Sequence, residues 1–262
     1  MSLTNKGPSN SYKDLLQMNN SNNGVTATSN RIVDGEGTQS CILVSDDQLI
    51  VSPVNDNITN TFRVRKVDGT DVFVVDTTNE LVKASGNNIN TQYAKFSVVN
   101  SESASFADDT HQALPFEHAN YGDSSNPPAF GTGTDPATTF TSAEGNGTRA
   151  SDIIPCLWYL PDSISIDAVY AIEGADTATG DTTRMHLFSY DFNNGSTSML
   201  SSGTLLAHNS DVTNAGSEQG YLTTFTIDSA SVAQGKVILA FFKSDSISSD
   251  YSINIVIKYH LT

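Results

Sequence analysis

Alternating apolar and polar side chains recur along this chain and predict extended strands. Residues 61–84, TFRVRKVDGTDVFVVDTTNELVKA, place two such runs on either side of Asp68-Gly69. This pair favours a primed turn, because glycine adopts positive φ angles freely and aspartate tolerates them better than most residues. The segment therefore predicts a β-hairpin with a structural role.

The last third of the chain carries the most regular strand pattern. In the final run, Ile253, Ile255 and Ile257 point to one side of the strand, as expected when that side packs inward. Other runs follow at a spacing typical of antiparallel sandwiches. The predicted strands cover residues 153–160, 163–173, 185–192, 203–207, 221–227, 236–243 and 251–260. Together they predict a jelly-roll-like β-sandwich.

The pattern predicts an all-β chain with three parts. Residues 1–33 form a polar N-terminal arm, residues 34–86 a small β-hairpin-rich stalk domain, and residues 87–262 the antiparallel sandwich domain. A long loop at 101–151 interrupts the last of these, either as an exposed tip or as an arm that bridges subunits.

A short helix is predicted over residues 11–18 of the arm. Tyr12, Leu15 and Leu16 would share one of its faces. Two helical turns are marginal in water, so the helix has to pack on the rest of the chain or on another subunit. We predict that these three side chains anchor the arm, the alternative being a partly disordered tail.

Composition and charge exclude several classes of partner. Ser, Thr and Asn make up 84 of 262 residues, which disfavours helices because these side chains bond to their own backbone. The formal net charge is −16, and no basic residue lies between Lys95 and Arg149. Such a surface repels phosphate backbones and anionic lipids, so we expect no binding to nucleic acid.

The sequence predicts neither a signal peptide nor membrane insertion. Residues 1–16 lack a continuous apolar core, and the longest apolar runs, such as residues 237–242, are too short to cross a bilayer. We therefore expect synthesis in a cytoplasm. Cys41 and Cys156 are far apart beside or within apolar runs, which favours two buried thiols over a disulfide.

No catalytic, cofactor or metal site is predicted, so we expect no enzyme. A Gly-x-Ser-x-Gly elbow is absent from the sequence. The carboxylates of Asp46-Asp47 and Asp108-Asp109 would point to opposite faces of a strand and make poor glycosidase dyads. The five histidines lack the spacing of a zinc site. Structural calcium in an Asp-rich turn such as residues 34–37 is left open.

Aromatic side chains offer the best candidates for recognition. Trp158 lies within an apolar run and is expected in the core. Tyr121 and Phe130 of the long loop are candidates for contacting a ligand such as a sugar, or a neighbouring subunit.

The stalk domain is too small to build a good core alone, which favours oligomerisation. Three copies around one axis would bury its alternating Val and Phe side chains. We therefore expect a homo-oligomer, most simply a trimer.

Motifs at both ends of the chain and in the hairpin point to one family. The N-terminal motifs are LTNK at 3–6, SYKDLLQ at 11–17 and NSNNGV at 20–25, and the C-terminal motif is IVIKYHLT at 255–262. They resemble virion appendage proteins of tailed, particularly marine, bacteriophages. The resemblance implies a homotrimeric fibre, spike or capsid knob that docks through its N-terminal region and exposes a β-sandwich. It carries over no functional residue.

The expected function is that of a phage virion structural protein, a tail-fibre or spike-type trimer. Its partners would be other virion proteins of the tail or capsid, and its outer sandwich could contact a host surface glycan or protein. Two alternatives stay open. One is a protein that decorates and stabilises the capsid, and the other is a stand-alone carbohydrate-binding β-sandwich module.

Overall fold

The protein is nearly all-β, as predicted, and its strands form four antiparallel sheets. The computed structural model describes residues 15–21, 23–98, 106–117, 127–145, 147–176, 179–216, 219–246 and 250–262. Within these ranges the single α-helix is α1, Ala150–Ile153, followed by a 3₁₀ turn at Ile154–Cys156. No helix in the described residues is long and apolar enough to cross a membrane. The chain divides into two compact units, with the boundary between Ile89 and Asn90.

The N-terminal unit contains two four-stranded sheets, each with its strands in chain order. The first consists of β1 (Gln17–Met18), β2 (Asn30–Val33), β3 (Gln39–Val44) and β4 (Leu49–Val51). The second consists of β5 (Phe62–Arg65), β6 (Asp71–Asp76), β7 (Leu81–Ala84) and β8 (Asn87–Asn88).

The predicted hairpin forms between β5 and β6, but its turn differs from the prediction. The Gly69 N–H donates to the Lys66 carbonyl at 3.0 Å, and Gly69 has φ +87°. Asp68 is not among the residues with positive φ; its carboxylate instead accepts the Thr70 N–H at 2.9 Å. The turn is therefore a four-residue bend closed by one left-handed glycine, and the primed-turn prediction was wrong.

The segment also contains a third strand that the sequence prediction merged with the second. After β6 the chain turns again at Asp76, whose carboxylate accepts the N–H groups of Thr78 and Asn79, both at 3.0 Å. Glu80 completes this turn with φ +57°. Strand β7 then pairs with β6, with Leu81 opposite Asp76.

The predicted helix over residues 11–18 does not extend through its C-terminal end. Gln17 and Met18 pair as a strand with Val33 and Ile32. Residues 11–14 lie outside the described residues.

In the described residues of the C-terminal unit, twelve strands form two sheets. The strands are β9 (Thr91–Val98), β10 (Gln112–Ala113), β11 (Trp158–Tyr159), β12 (Ile164–Asp176), β13 (Thr182–Phe192), β14 (Leu200–His208), β15 (Val212–Thr213), β16 (Gly220–Thr224), β17 (Thr226–Ile227), β18 (Ser231–Val232), β19 (Lys236–Ser244) and β20 (Asp250–Leu261). The seven-stranded sheet has the order β10-β19-β13-β14-β17, with β11 on β19 and β15 on β13. The five-stranded sheet has the order β16-β12-β20-β9, with β18 on β12.

The strand predicted over residues 153–160 is mostly helical. Ile153 ends α1, and Pro155 lies in the 3₁₀ turn that follows. Only Trp158 and Tyr159 pair as a strand, with β19.

A first core lies between the two sheets. On β20, Ile253, Ile255 and Ile257 are at most 2% exposed, which confirms the predicted alternation. They share this core with Met185 and Leu187 of the opposite sheet, and Trp158 belongs to it, as expected.

A second core covers the other face of the seven-stranded sheet. Alternate residues of β19 enter the two cores: Ile238, Ala240 and Phe242 the first, Val237, Leu239 and Phe241 the second. The second core is closed by the irregular segment 127–145 together with α1 and the 3₁₀ turn, which contribute Phe130, Phe140, Ile153 and Cys156. The described part of the predicted long loop therefore packs on the sheet instead of forming an exposed tip.

Gly203 shows how closely this covering segment approaches the sheet. A Cβ atom on Gly203 would lie 2.6 Å from Cε1 of Tyr190 and 2.7 Å from Cα of Thr138. The Tyr190 hydroxyl also donates to the Ala137 carbonyl at 2.8 Å. The segment is thus attached by backbone contact as well as by its apolar side chains.

The two cysteines are both free thiols with different surroundings. Cys156 is buried, as predicted, and burial raises the pKa of its thiol. Cys41 is exposed, so its predicted burial was wrong. The physical reason is that β3 lies in a unit with little core.

Replacing Phe130 by Ala should destabilise the C-terminal unit by about 3–5 kcal/mol, the usual loss for a buried phenylalanine. The Phe130 ring lies 4.7 Å from that of Phe241 and 5.2 Å from that of Phe140, centroid to centroid. Denaturant unfolding followed by the fluorescence of Trp158, the single tryptophan, measures this unit. Tyr159→Ala is the control, because Tyr159 is 59% exposed. Equal stability of the two variants would show that the covering segment contributes no core.

Candidate functional site

One end of the seven-stranded sheet carries a polar cavity, here named the polar cleft. It has a volume of 530 Å³ and is lined by residues that include Thr132, Thr134, Arg184, Asp211, Lys243 and Asp245. All of these belong to the C-terminal unit. Its size lies within the range of ordinary ligand sites, roughly 300–1,000 Å³.

Two neighbouring strands place the cationic side chains of the cleft. Strand β13 begins there and β19 ends there, and the antiparallel register sets Arg184 directly opposite Lys243. Cross-strand neighbours of this kind have closely spaced Cβ atoms, so both cations lie at the same wall.

The opposite wall is the loop from Gly131 to Asp135. Gly131 turns the chain with φ +88°, directly after the buried Phe130. Lys243 Nζ donates to the Gly133 carbonyl at 3.2 Å, which connects the loop to β19. The loop is therefore held at both sides, by a core aromatic ring and by a charged hydrogen bond.

Side chains of both charges line the cleft. Arg184 Nε lies 2.5 Å from Asp211 Oδ1, and Lys243 Nζ lies 3.7 Å from Asp109 Oδ1. Asp245 Oδ1 accepts the Thr182 N–H at 2.7 Å. Asp211 and Asp245 thus accept hydrogen bonds from the protein, Asp109 lies at ion-pair distance from Lys243, and the two cations are partly exposed. Within the described residues, the hydroxyls of Thr132 and Thr134 have no hydrogen-bond partner.

A row of three imidazoles lies beside the loop. The ring of His186 is 4.8 Å from that of His111 and 6.4 Å from that of His208. His111 Nε2 lies 3.1 Å from the Gly133 carbonyl oxygen, and His186 Nε2 lies 3.4 Å from Asp135 Oδ1. His111 thus contacts the backbone of the loop, and His186 contacts one of its side chains.

The two buried imidazoles of this row, those of His111 and His186, are neutral at pH 7. Burial, together with a smaller effect of the neighbouring His111, lowers the pKa of His186 to about 3. Burial also lowers the pKa of His111. Because the neutral forms are favoured in the folded state, their contribution to stability is complete above pH 6.5 and is lost as the pH falls. The contact between His186 and Asp135 is accordingly not an ion pair at neutral pH.

A buried carboxylate lies behind the cleft on the five-stranded sheet. Glu173 is 1% exposed; its Oε1 accepts the Thr183 hydroxyl at 2.8 Å, while its Oε2 has no partner among the described residues. Burial raises the pKa of Glu173 to about 7. Nearby, the Tyr251 hydroxyl donates to Asp181 Oδ2 at 2.9 Å.

The residues predicted from sequence lie elsewhere. Leu15 and Leu16 are 48% and 73% exposed and have no regular structure. Phe130 is 2% exposed, and its core position accounts for it without a ligand. Tyr12 and Tyr121 lie outside the described residues, so their predicted roles stay predictions.

The cleft residues were not found by sequence reasoning, because no local motif joins them. The one available signal was Gly131-Thr132-Gly133-Thr134, which reads as a polar loop. In the described part of the chain, no group of three or more His, Cys, Asp or Glu side chains could hold a metal ion. Comparison with protein-family models and with curated proteins gives no match for this chain.

Replacing Glu173 by Gln should remove one source of pH dependence from the stability of the C-terminal unit. A raised carboxyl pKa stabilises the fold below the unfolded value of 4.5, and this contribution is lost as the pH rises through about 7. The free energy of unfolding should fall by about 3 kcal/mol over this range because of Glu173. The Gln variant should not show this fall. Unfolding free energies from pH 4 to pH 8, followed by Trp158 fluorescence, measure the difference.

Glu144→Gln is the matched control, because Glu144 is exposed. Each variant differs from the parent at one position only, so the difference between the Glu173 variant and the parent isolates Glu173. A Glu173→Gln variant whose stability runs parallel to that of the parent across this range would contradict the assignment.

Proposed function

We propose that this chain is a non-enzymatic structural protein of a phage virion, a homotrimeric fibre or spike-type appendage. Its N-terminal unit serves as the trimeric stalk and docks to the particle, and its C-terminal unit is a jelly-roll-like sandwich directed outward. The observation that carries this proposal is the near absence of a core in the N-terminal unit.

Within its described residues, Val33 is the only apolar side chain of that unit that is buried. Many large apolar side chains are exposed instead. They are Leu15, Leu16, Val25, Ile42, Leu49, Ile50, Val54, Ile58, Phe62, Val64, Val67, Val72 and Ile89. All four residues of β5 are exposed.

An isolated N-terminal unit with this surface would gain little free energy from folding. Each Å² of apolar surface removed from water contributes about 25 cal/mol, so a unit whose described residues bury one apolar side chain lacks most of the main stabilising term. Small β units of this kind need a partner surface. Copies of the same chain supply it in a closed oligomer, in which the exposed rows of each subunit are covered by the next.

The C-terminal unit has its own core but one apolar surface. On the outer face of the five-stranded sheet, Ile172 is 56% and Leu222 is 72% exposed, and the two pair across β12 and β16. Tyr93 and Tyr170 are exposed on the same face. We propose that neighbouring subunits or virion proteins cover it.

A capsid-decorating role uses the same assembly surface and is the second candidate. The two differ in where the protein attaches and in what its removal does. Loss of a decoration lowers the stability of the particle, whereas loss of a fibre blocks adsorption to the host.

Light scattering on the purified full-length protein should give about three times the chain mass of 28.0 kDa. Replacing both Phe62 and Val64 by Ser should shift the protein to smaller species at the same concentration, because these side chains share one exposed face of β5. Arg63→Ser is the control, since Arg63 points to the other face. A parent protein that is monomeric at all concentrations would overturn the trimer.

Deleting residues 1–33 should abolish incorporation into particles while leaving the C-terminal unit folded. Incorporation is measured by mass spectrometry of purified particles from infected cells, and folding by Trp158 fluorescence. Normal incorporation of the truncated chain would exclude the arm as the anchor.

A further inference from the structure

We infer that the polar cleft is a binding site for a neutral, polyhydroxylated ligand, which is to say a saccharide. The chemistry of its walls supports this ligand class over the alternatives. The inference that the saccharide belongs to a host surface rests on the proposed function, whereas the ligand class rests on the cleft alone.

The cleft offers both donors and acceptors. Arg184 and Lys243 are donors, Asp211 and Asp245 are acceptors, and the Thr132 hydroxyl can be either. Adjacent hydroxyls of a sugar each donate one hydrogen bond and accept others, so they match a site whose walls supply both roles. Charge-assisted hydrogen bonds of this kind are about twice as strong as neutral ones.

Other ligand classes fit less well. An anion would meet three carboxylates, those of Asp109, Asp211 and Asp245, against two cations. A metal ion would meet Arg184 and Lys243, and the described residues contain no cluster of ligands for it. An apolar ligand would find no large aliphatic or aromatic side chain among the described lining residues.

The walls are arranged before a ligand arrives. Asp211 holds the guanidinium of Arg184, and Lys243 bonds to the Gly133 carbonyl. His111 is 3.1 Å from that same carbonyl oxygen. A ligand that enters such a site does not have to order these side chains, which lowers the entropic cost of binding.

The affinity of one cleft should be low. The site is open and polar, and every hydrogen bond formed replaces one to water, with a net gain of about 1 kcal/mol. Several copies on one oligomer would compensate for this, because linked sites gain avidity without further contacts.

Saturation-transfer NMR on the full-length protein tests the inference. The probes are methyl glycosides of glucose, galactose and mannose, and N-acetylglucosamine. At least one should bind with a dissociation constant of about 1 mM. Replacing Thr132 and Thr134 by Val keeps the shape of the walls and removes two hydroxyls, so binding should weaken about tenfold or more.

Thr139→Val is the matched control. Thr139 is exposed on the same segment and does not line the cleft, so its variant should bind as the parent does. Trp158 fluorescence confirms that each variant is folded. Inorganic phosphate and calcium chloride are titrated in parallel.

The inference is overturned if none of the four glycosides binds, if the double variant binds as tightly as the parent, or if phosphate or calcium is the only species that binds. These results are independent of assembly. If the protein is a monomer that binds a glycoside, the proposed function is wrong and the saccharide site stands. If it is a trimer that binds none of the four, the saccharide site is wrong and the proposed function stands.

Discussion

Burial of β19 on both of its faces is the constraint on which the C-terminal unit depends. Successive side chains of a strand point to opposite sides, so the unbroken apolar run from Val237 to Phe242 cannot be satisfied by one core. The five-stranded sheet covers one side. The other side is covered by residues 127–145 and 147–156, which have little regular structure and bury Phe130, Phe140, Ile153 and Cys156 in the second core.

The polar cleft is a consequence of that second core. Phe130 anchors the covering segment in apolar contacts, and the next residue, Gly131, turns the chain over the end of the sheet. The loop that results stands opposite Arg184 and Lys243. Two neutral imidazoles and a lysine hydrogen bond then hold it there. Phe130, which the sequence suggested as a recognition residue, therefore positions one wall of the cleft without lining it.

The sequence predicted the features that depend on the alternation of side chains along a strand. It did not predict the features that depend on tertiary contacts. The alternation of Ile253, Ile255 and Ile257 has one explanation, and the strand follows it. Phe130 and Phe140 stand singly among Gly, Thr, Ala and Pro, and only the sheet beneath them makes them part of a core. The run at 237–242 did contain the signal, because a strand without polar residues indicates burial on both faces. The cleft could not be predicted, since its charged residues meet only through the register of β13 and β19.

The two units place their apolar surface in opposite ways. The C-terminal unit buries rings from strands and loops alike in two cores, whereas the N-terminal unit buries one valine and leaves both sides of β5 in water. In both units, apolar and polar side chains alternate along strands. The units differ in whether a second layer of the same chain covers the apolar side. Where it is absent, the apolar side chains stay exposed in the single chain, and short strands without a covering layer are at best marginally stable. Under the proposed function, other copies of the chain cover these side chains in the N-terminal unit, whereas the C-terminal unit has its own two cores and forms its polar cleft within one chain.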